Sequence, residues 1–235
     1  MDLLSELSAI RFDTFTIVGV AVLVIVAITF HEAAHGIVAY RLGDDTAYRL
    51  GRVTLNPLRH IDAFGTILLP ALLLILKAPF LFGWAKPVPV NFNRLNRPRR
   101  DMVLVAAAGP AINLALALAS ALLLHVVPLF PDGLVAGLRG ALVFSVFINV
   151  ILAVFNMVPL PPLDGGRVAV GLLPDRLAFP LARLERWGLF ILIGVLFILP
   201  MIGDQLGLDL NLFTWVILPI VDFVGRAIFN LAGVV

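Results

Sequence analysis

Apolar residues gather along this chain in five runs long enough, at roughly 20 residues each, to cross a bilayer as helices. They lie at about Thr14 to Arg41, Met102 to Val127, Ala141 to Val158, Trp187 to Ile202 and Leu212 to Phe229. A sixth run, Ile61 to Trp84, reads differently: Pro70 cuts it near the middle, and Lys77 and Pro79 interrupt its second half. Basic residues flank it on both sides, with Arg49, Arg52 and Arg59 before it and Lys86, Arg94, Arg97, Arg99 and Arg100 after it. Basic loops stay cytoplasmic, so both ends of this run belong on one side, and it is predicted to re-enter with Pro70 as its apex. Five crossings plus a re-entrant hairpin are therefore preferred to six crossings.

That choice makes the whole charge map consistent. With the N-terminus outside, the inner loops hold every basic residue from Arg41 through Arg100, and also Arg167, Arg176, Arg183 and Arg186. The outer loops hold Asp132, Asp204 and Asp209, with Arg11 and Arg139 as the main positive charges. Within the inner loops, Ala47 to Leu55 and Gly83 to Asn91 read as short membrane-surface β-strands, the second limited by Pro87 and Pro89 to a sheet edge. The expected fold class is thus an all-α polytopic membrane protein with two short surface strands.

Composition agrees. Hydrophobic residues make up 61% and charged residues 14%, with a mean hydropathy of +1.05, which excludes an ordinary soluble domain. A net charge of +2 gives no footprint for nucleic acid. There are no cysteines, so disulfides, thiolate ligands and cysteine nucleophiles are excluded together. Met1 to Asp13 is a short mixed-charge lead and does not read as a cleavable signal peptide. Without a repeat or low-complexity tail, residues 1–235 are expected to form one membrane domain, with a core at about 14–170 and C-terminal helices at about 185–230.

The chemistry lies inside the first apolar run. His31-Glu32-Ala33-Ala34-His35 puts two imidazoles at i and i+4, on one helical face, with Glu32 beside them. This is the zinc-hydrolase pattern His-Glu-x-x-His, in which the glutamate is the general base. Ionisable groups at membrane depth are costly, which favours function over two snorkelling histidines. A catalytic zinc usually takes three protein ligands and a water. Asp164 is the favoured third, because Pro159, Pro161 and Pro162 end the preceding helix and two glycines follow the aspartate with backbone freedom other residues lack. A helix-restart cap is its alternative role. Zinc(2+), two neutral imidazoles, one carboxylate and one hydroxide sum to zero, as a buried site requires. His35 lies roughly 9 Å before Arg41 at 1.5 Å per residue, near the cytoplasmic face.

The chain resembles the site-2 proteases, intramembrane zinc metalloproteases. The likeness rests on His31 to His35, on Leu163-Asp164-Gly165-Gly166, on Ala108-Gly109-Pro110-Ala111-Ile112-Asn113 and on Asn156, and spans about Phe30 to Arg167. It implies one zinc per chain held by His31, His35 and Asp164, Glu32 as base, and Asn156 as a helper of substrate or oxyanion. It also implies a transmembrane or signal-peptide-like protein substrate, cut in the plane of a cell membrane. The chain looks like the small bacterial type without PDZ or CBS modules. The rival within this fold is a catalytically inactive scaffold, against which an intact Glu32 argues; a metal transporter would need more acids or histidines along a path. His60 is read as a surface histidine or a gating residue, His125 as interfacial, Asp222 as an intramembrane acid, Asp101 as a cap or an arginine partner, and Asn113 and Asn149 as glue between helices.

The charge map yields a topological test. Single cysteines placed at Asn56 and Asn93 of this cysteine-free chain should both react with a membrane-impermeant maleimide only from the cytoplasmic side. Labelling of Asn93→Cys from outside would restore six crossings.

Overall fold

The computed structural model describes residues 2–75, 83 and 85–234. A short helix α1 (Leu3–Ser8) precedes the long α2 (Thr14–Arg41), which Asp13 starts by accepting the Thr16 N–H at 2.7 Å. After α3 (Thr46–Arg49) and a 3₁₀ turn at Pro57–His60, π-helical turns at Ala63–Leu68 lead into α4 (Leu69–Ile75). Then come α5 (Pro98–Leu123), continued by 3₁₀ turns to Leu129, and α6 (Asp132–Asn156). The short α7 (Asp164–Leu172) and α8 (Asp175–Arg183) follow. Next is α9 (Glu185–Ile193), which runs through π-helical turns at Gly194–Ile198 into α10 (Leu199–Leu206). Last is α11 (Leu218–Ala232), preceded by π-helical turns at Phe213–Ile217.

Among the described residues, five helical stretches are long and apolar enough to cross a membrane: Thr14–Arg41, Pro98–Leu129, Asp132–Asn156, Glu185–Leu206 and Phe213–Ala232. They match the five apolar runs. The chain is a multi-pass membrane protein.

Two expectations need correction. Pro70 is not an apex, because the chain stays helical from Ala63 to Ile75. Proline removes a backbone donor from a helix, and here π-helical turns stand immediately before the α-helix that contains it. The same device recurs at Pro200 and Pro219, each the second residue of an α-helix that follows π-helical turns. The helical part of this segment is about 20 Å long, short of the roughly 30 Å hydrocarbon core. The return limb expected of a re-entrant hairpin would lie largely on 76–82 and 84, outside the described residues.

The second correction concerns strands, of which the described residues contain none. Ala47 to Leu55 begins in α3 instead, because the buried Asp44 takes the Thr46 N–H at 3.0 Å and nucleates a turn. Residues 85–91 are extended but unladdered, since side chains and a distant carbonyl absorb their donors. The Lys86 N–H goes to the His60 carbonyl at 2.8 Å, the Val88 N–H to Glu32 at 2.7 Å and the Asn91 N–H to Asp44 at 2.6 Å. Pro87 and Pro89 have no N–H to give. Arg52, itself buried, donates to the Lys86 carbonyl at 2.7 Å and fixes the segment from the other side.

The core forms where α2, α5 and α6 meet and where α11 closes on α5 and α6, around Val143, Val146, Val150, Val221 and Phe229. Polar pairs join these helices as glue does: Ser120 and Ser145 hydroxyls are 2.8 Å apart, and Asn113 donates to Asn149 at 2.8 Å. Asp101 is a cap, reaching back from the first turn of α5 to the Arg97 N–H at 2.8 Å. His125 ties the end of the α5 stretch to the Ala232 carbonyl at 2.7 Å, and the buried Asp222 pairs with Arg226 one turn on.

Burial drives the Asp44 carboxyl toward neutrality, but the Thr46 hydroxyl, the N–H groups of Asn91 and Thr46, and the nearby Arg94 hold it below the usual carboxylate range. Its clamp is therefore complete at neutral pH and is lost as pH falls through that lowered value. Asp44→Asn should speed hydrogen exchange of the Asn91 amide about tenfold at pH 7, as loss of a charged acceptor implies. The ratio to wild type should shrink toward one in acid. A constant ratio across pH would show that the carboxylate charge is not what holds Asn91.

Candidate metal centre

His31 and His35 lie one turn apart on α2 with their Nε2 atoms 3.1 Å from each other, both side chains buried. The first residue of α7, Asp164, brings its Oδ2 to 3.2 Å from His31 Nε2 and 3.3 Å from His35 Nε2. Four donors about 2.0–2.1 Å from a tetrahedral zinc stand about 3.3 Å apart, so the three observed separations are those of one face of such a site.

The protonation pattern makes the same point chemically. His35 Nδ1 is 2.7 Å from the Val105 carbonyl, which can only accept, so the proton is on Nδ1. Asn113 uses its amide N–H groups on Asn149 at 2.8 Å and on the Ala27 carbonyl at 3.3 Å, leaving its Oδ1 to accept from His31 Nδ1 at 2.5 Å. In the neutral imidazoles both Nε2 atoms therefore carry lone pairs. They face each other and the buried Asp164 Oδ2, which finds no hydrogen-bond donor among the described residues. Three unprotonated acceptors at contact distance repel unless a cation sits between them. The residues fit zinc in donor type, number and spacing, and no other trio of potential ligands clusters this way among the described residues.

The approach of α5 depends on Gly109. A Cβ there would lie 2.5 Å from His35 Nε2 and 2.6 Å from His31 Nε2. Val105, Gly109 and Asn113 form one stripe at i, i+4 and i+8, so a single face of α5 supplies a carbonyl, a gap and an amide to the two histidines. Asn113 was expected only as glue. The spacing of a polar residue one turn after a glycine was the signal that could have revealed its second role.

The N-cap of α7 is Leu163, and Asp164 is the first residue of the helix. Gly165 and Gly166 do not supply unusual backbone angles, since neither has positive φ. They allow close approach instead. Cβ atoms there would strike the Met157 carbonyl oxygen at 2.2 Å and the Pro161 nitrogen at 2.2 Å. The start of α7 is thus tucked under the Pro159 to Pro162 loop, which carries Asp164 back to α2.

Glu32 accepts the Val88 N–H at 2.7 Å, so the extended 85–91 segment holds its carboxylate beside the histidines. Asn156 stays outside the ligand cluster, donating to the Leu152 carbonyl of its own helix at 2.9 Å. His60 also stands apart. It is buried rather than on the surface, with Nε2 2.9 Å from the Thr54 carbonyl.

A helical membrane domain with a buried His-His-Asp trio and an adjacent glutamate has the makings of an intramembrane metallopeptidase. The model for peptidase family M50 matches residues 132–199. The chain is 44% identical over 181 residues to YwhC of Bacillus subtilis, covering 75% of this chain and 78% of that protein. It is 32% identical over 202 residues to Rip2 of Mycolicibacterium smegmatis (84% and 74% covered) and 34% identical over 186 residues to Rip2 of Mycobacterium tuberculosis (77% and 69%). All three are provisionally named zinc metalloproteases. No solved structure matches. The chain belongs to peptidase family M50, of the site-2 protease type.

Gly109→Ala should push α5 from the histidines and lower zinc affinity by about ten- to a hundredfold, the range for disturbed support of metal ligands. Competition with a chelator measures it. Unchanged affinity would mean that α5 does not set the position of the imidazoles.

Proposed function

We propose that this chain is an intramembrane zinc metalloendopeptidase that cuts membrane-protein substrates within or near a transmembrane segment. The observation that carries this reading is the convergence of two imidazole lone pairs and an unpaired carboxylate oxygen beside Glu32. His31, His35 and Asp164 would hold the zinc, which when bound would supply a Lewis acid for the scissile carbonyl and lower the pKa of an attacking water toward about 7. Glu32 takes a proton from that water and returns it to the leaving amine nitrogen. The Val88 N–H holds one carboxylate oxygen of Glu32, which leaves the other for the proton. Asn113 and the Val105 carbonyl keep both imidazoles in the tautomer that faces the metal. Asn156 spends one amide hydrogen on Leu152 and keeps the other for the substrate or its oxyanion.

The site lies within a span but near the basic end of α2, so it acts near the cytoplasmic face of a cell membrane with the N-terminus outside. A peptide bond inside a helix is shielded, so a substrate helix must unwind locally before its carbonyl can reach the site. This favours a single-pass protein or a signal-peptide remnant with Gly, Pro or Asn near its cytoplasmic end.

Glu32→Gln should retain zinc and lose peptide hydrolysis, because the amide is nearly isosteric but takes no proton at neutral pH. Asp164→Ala should lose both, since two histidines hold zinc poorly. Metal analysis and cleavage of a reconstituted transmembrane peptide read the two outcomes separately. A Glu32→Gln protein as fast as wild type would exclude Glu32 as the base, and a zinc-loaded wild type that cuts nothing would favour the scaffold.

A further inference from the structure

Contacts at its two ends give α11 a direction. The turns that lead into it begin beside the end of α6, where the rings of Phe213 and Phe155, the last residue but one of that helix, lie 6.3 Å apart. Its far end meets the far end of the α5 stretch, where His125 donates to the Ala232 carbonyl at 2.7 Å. Helix α5 starts among Arg97, Arg99 and Arg100, so His125 marks the face opposite the basic loops. Between these ends Leu3 of α1 lies over Gly225, where a Cβ would come 2.3 Å from Leu3 Cδ2. Helix α11 therefore crosses from the basic face to the face that carries the N-terminus.

Helix α9 starts on the basic face as well. Glu185 pairs with Arg167 at 3.5 Å, and a Cβ at Gly188 would lie 1.8 Å from the carbonyl oxygen of Pro161, in the loop before Asp164. From there α9 and α10 run as one stretch of 22 residues, about 33 Å long. The link to Phe213 is too short to return across a bilayer. At the end of α10 the Leu208 N–H turns back to the Gly203 carbonyl at 2.9 Å, and a Cβ at Gly203 would lie 3.0 Å from Leu210 Cβ. Leu210 is thus level with Gly203, and the three steps from it to Phe213 cover roughly 10 Å, against a hydrocarbon core of about 30 Å. Both ends of the stretch therefore lie on the basic face.

We propose that Glu185–Leu206 does not cross the membrane but lies along its inner leaflet, packed against acyl chains. Four stretches then cross, Thr14–Arg41, Pro98–Leu129, Asp132–Asn156 and Phe213–Ala232, and the C-terminal end of α11 faces the same side as the N-terminus. The sequence expectation of five crossings, with Asp204 and Asp209 outside, is replaced. Charge does not oppose the change, since residues 204–212 and 230–235 contain no Lys or Arg and the topological rule counts only those. The surface of the stretch suits acyl chains: Phe190, Ile198 and Met201 are exposed, and the buried residues of α9 and α10 are Gly188 and Gly203. Exposed Arg183, Arg186 and Trp187 at its start suit the level of the headgroups. This inference goes beyond the protease reading and does not depend on it.

The test uses the full chain in intact cells and needs no turnover. Single cysteines at Gln205, Leu208 and Asn230, all exposed, are compared with Asn93→Cys on the basic face and Gly133→Cys on the opposite face, where a Cβ meets open space. With a membrane-impermeant maleimide, Gln205→Cys and Leu208→Cys should react from the same side as Asn93→Cys, and Asn230→Cys from the same side as Gly133→Cys. Gln205→Cys or Leu208→Cys reacting with the Gly133→Cys side, or Asn230→Cys with the Asn93→Cys side, would overturn the proposal. A second measurement reads depth. Nitroxides on cysteines replacing Phe190, Gly194 and Met201, in purified protein in liposomes, should sit at one depth by oxygen and nickel-chelate accessibility, whereas a crossing helix would spread them over about 16 Å. A spread of that size would restore the crossing.

Discussion

The rest of the structure depends on the seam between α2 and α5, where His31 and His35 give their Nδ1 protons to Asn113 and to the Val105 carbonyl. Without those two acceptors, either imidazole could turn its protonated nitrogen toward the centre and the trio would hold no cation. The seam closes this tightly because Gly109 offers only a hydrogen where a methyl group would lie 2.5 Å from an imidazole nitrogen. Asn113 extends the arrangement to α6 through Asn149, which in turn donates to the Ser145 carbonyl at 2.9 Å. A line of polar groups thus runs from the metal centre across three apolar helices, each member paired as low dielectric demands.

The same demand explains the loops at the basic end of α2. Where a soluble protein could leave loop amides to water, this chain binds them to side chains: Glu32 takes Val88, Asp44 takes Asn91 and Arg52 grips the Lys86 carbonyl. The extended 85–91 segment is therefore a strap across the basic end of α2. It serves the chemistry directly, since one of its amides holds the proposed base.

Much of this was legible in the sequence, for reasons that differ by residue. The bounds of α2 were readable because Asp13 caps it and Arg41 ends the apolar run. The clustering of His31, His35 and Asp164 was readable because metal chemistry restricts ligand types and the prolines before Asp164 stop a helix. The missing strands were not readable, since alternation in Ala47 to Leu55 says nothing of a buried Asp44 that spends both oxygens on local and distant amides. The helical Pro70 was missed because no side-chain pattern announces the π-helical turns that stand before its helix. Gly165 and Gly166 were noticed for the wrong property, as conformational freedom and close approach select the same residue.

Close approach also links the third ligand to the C-terminal half. The loop that sets Asp164 is enclosed from two sides: a Cβ at Gly166 would strike the Pro161 nitrogen, and a Cβ at Gly188 of α9 would lie 1.8 Å from the Pro161 carbonyl oxygen. The α9 to α10 span is otherwise the least buried of the five. Gly188, the buried residue of α9, meets the loop that presents the carboxylate ligand. Two histidines on one helix share a face by that helix's own geometry, whereas a carboxylate from a separate short helix must be brought to them by the packing around it. The position of Asp164, and with it the closing of the third side of the metal face, depends on how α7 and α9 press on the same proline loop.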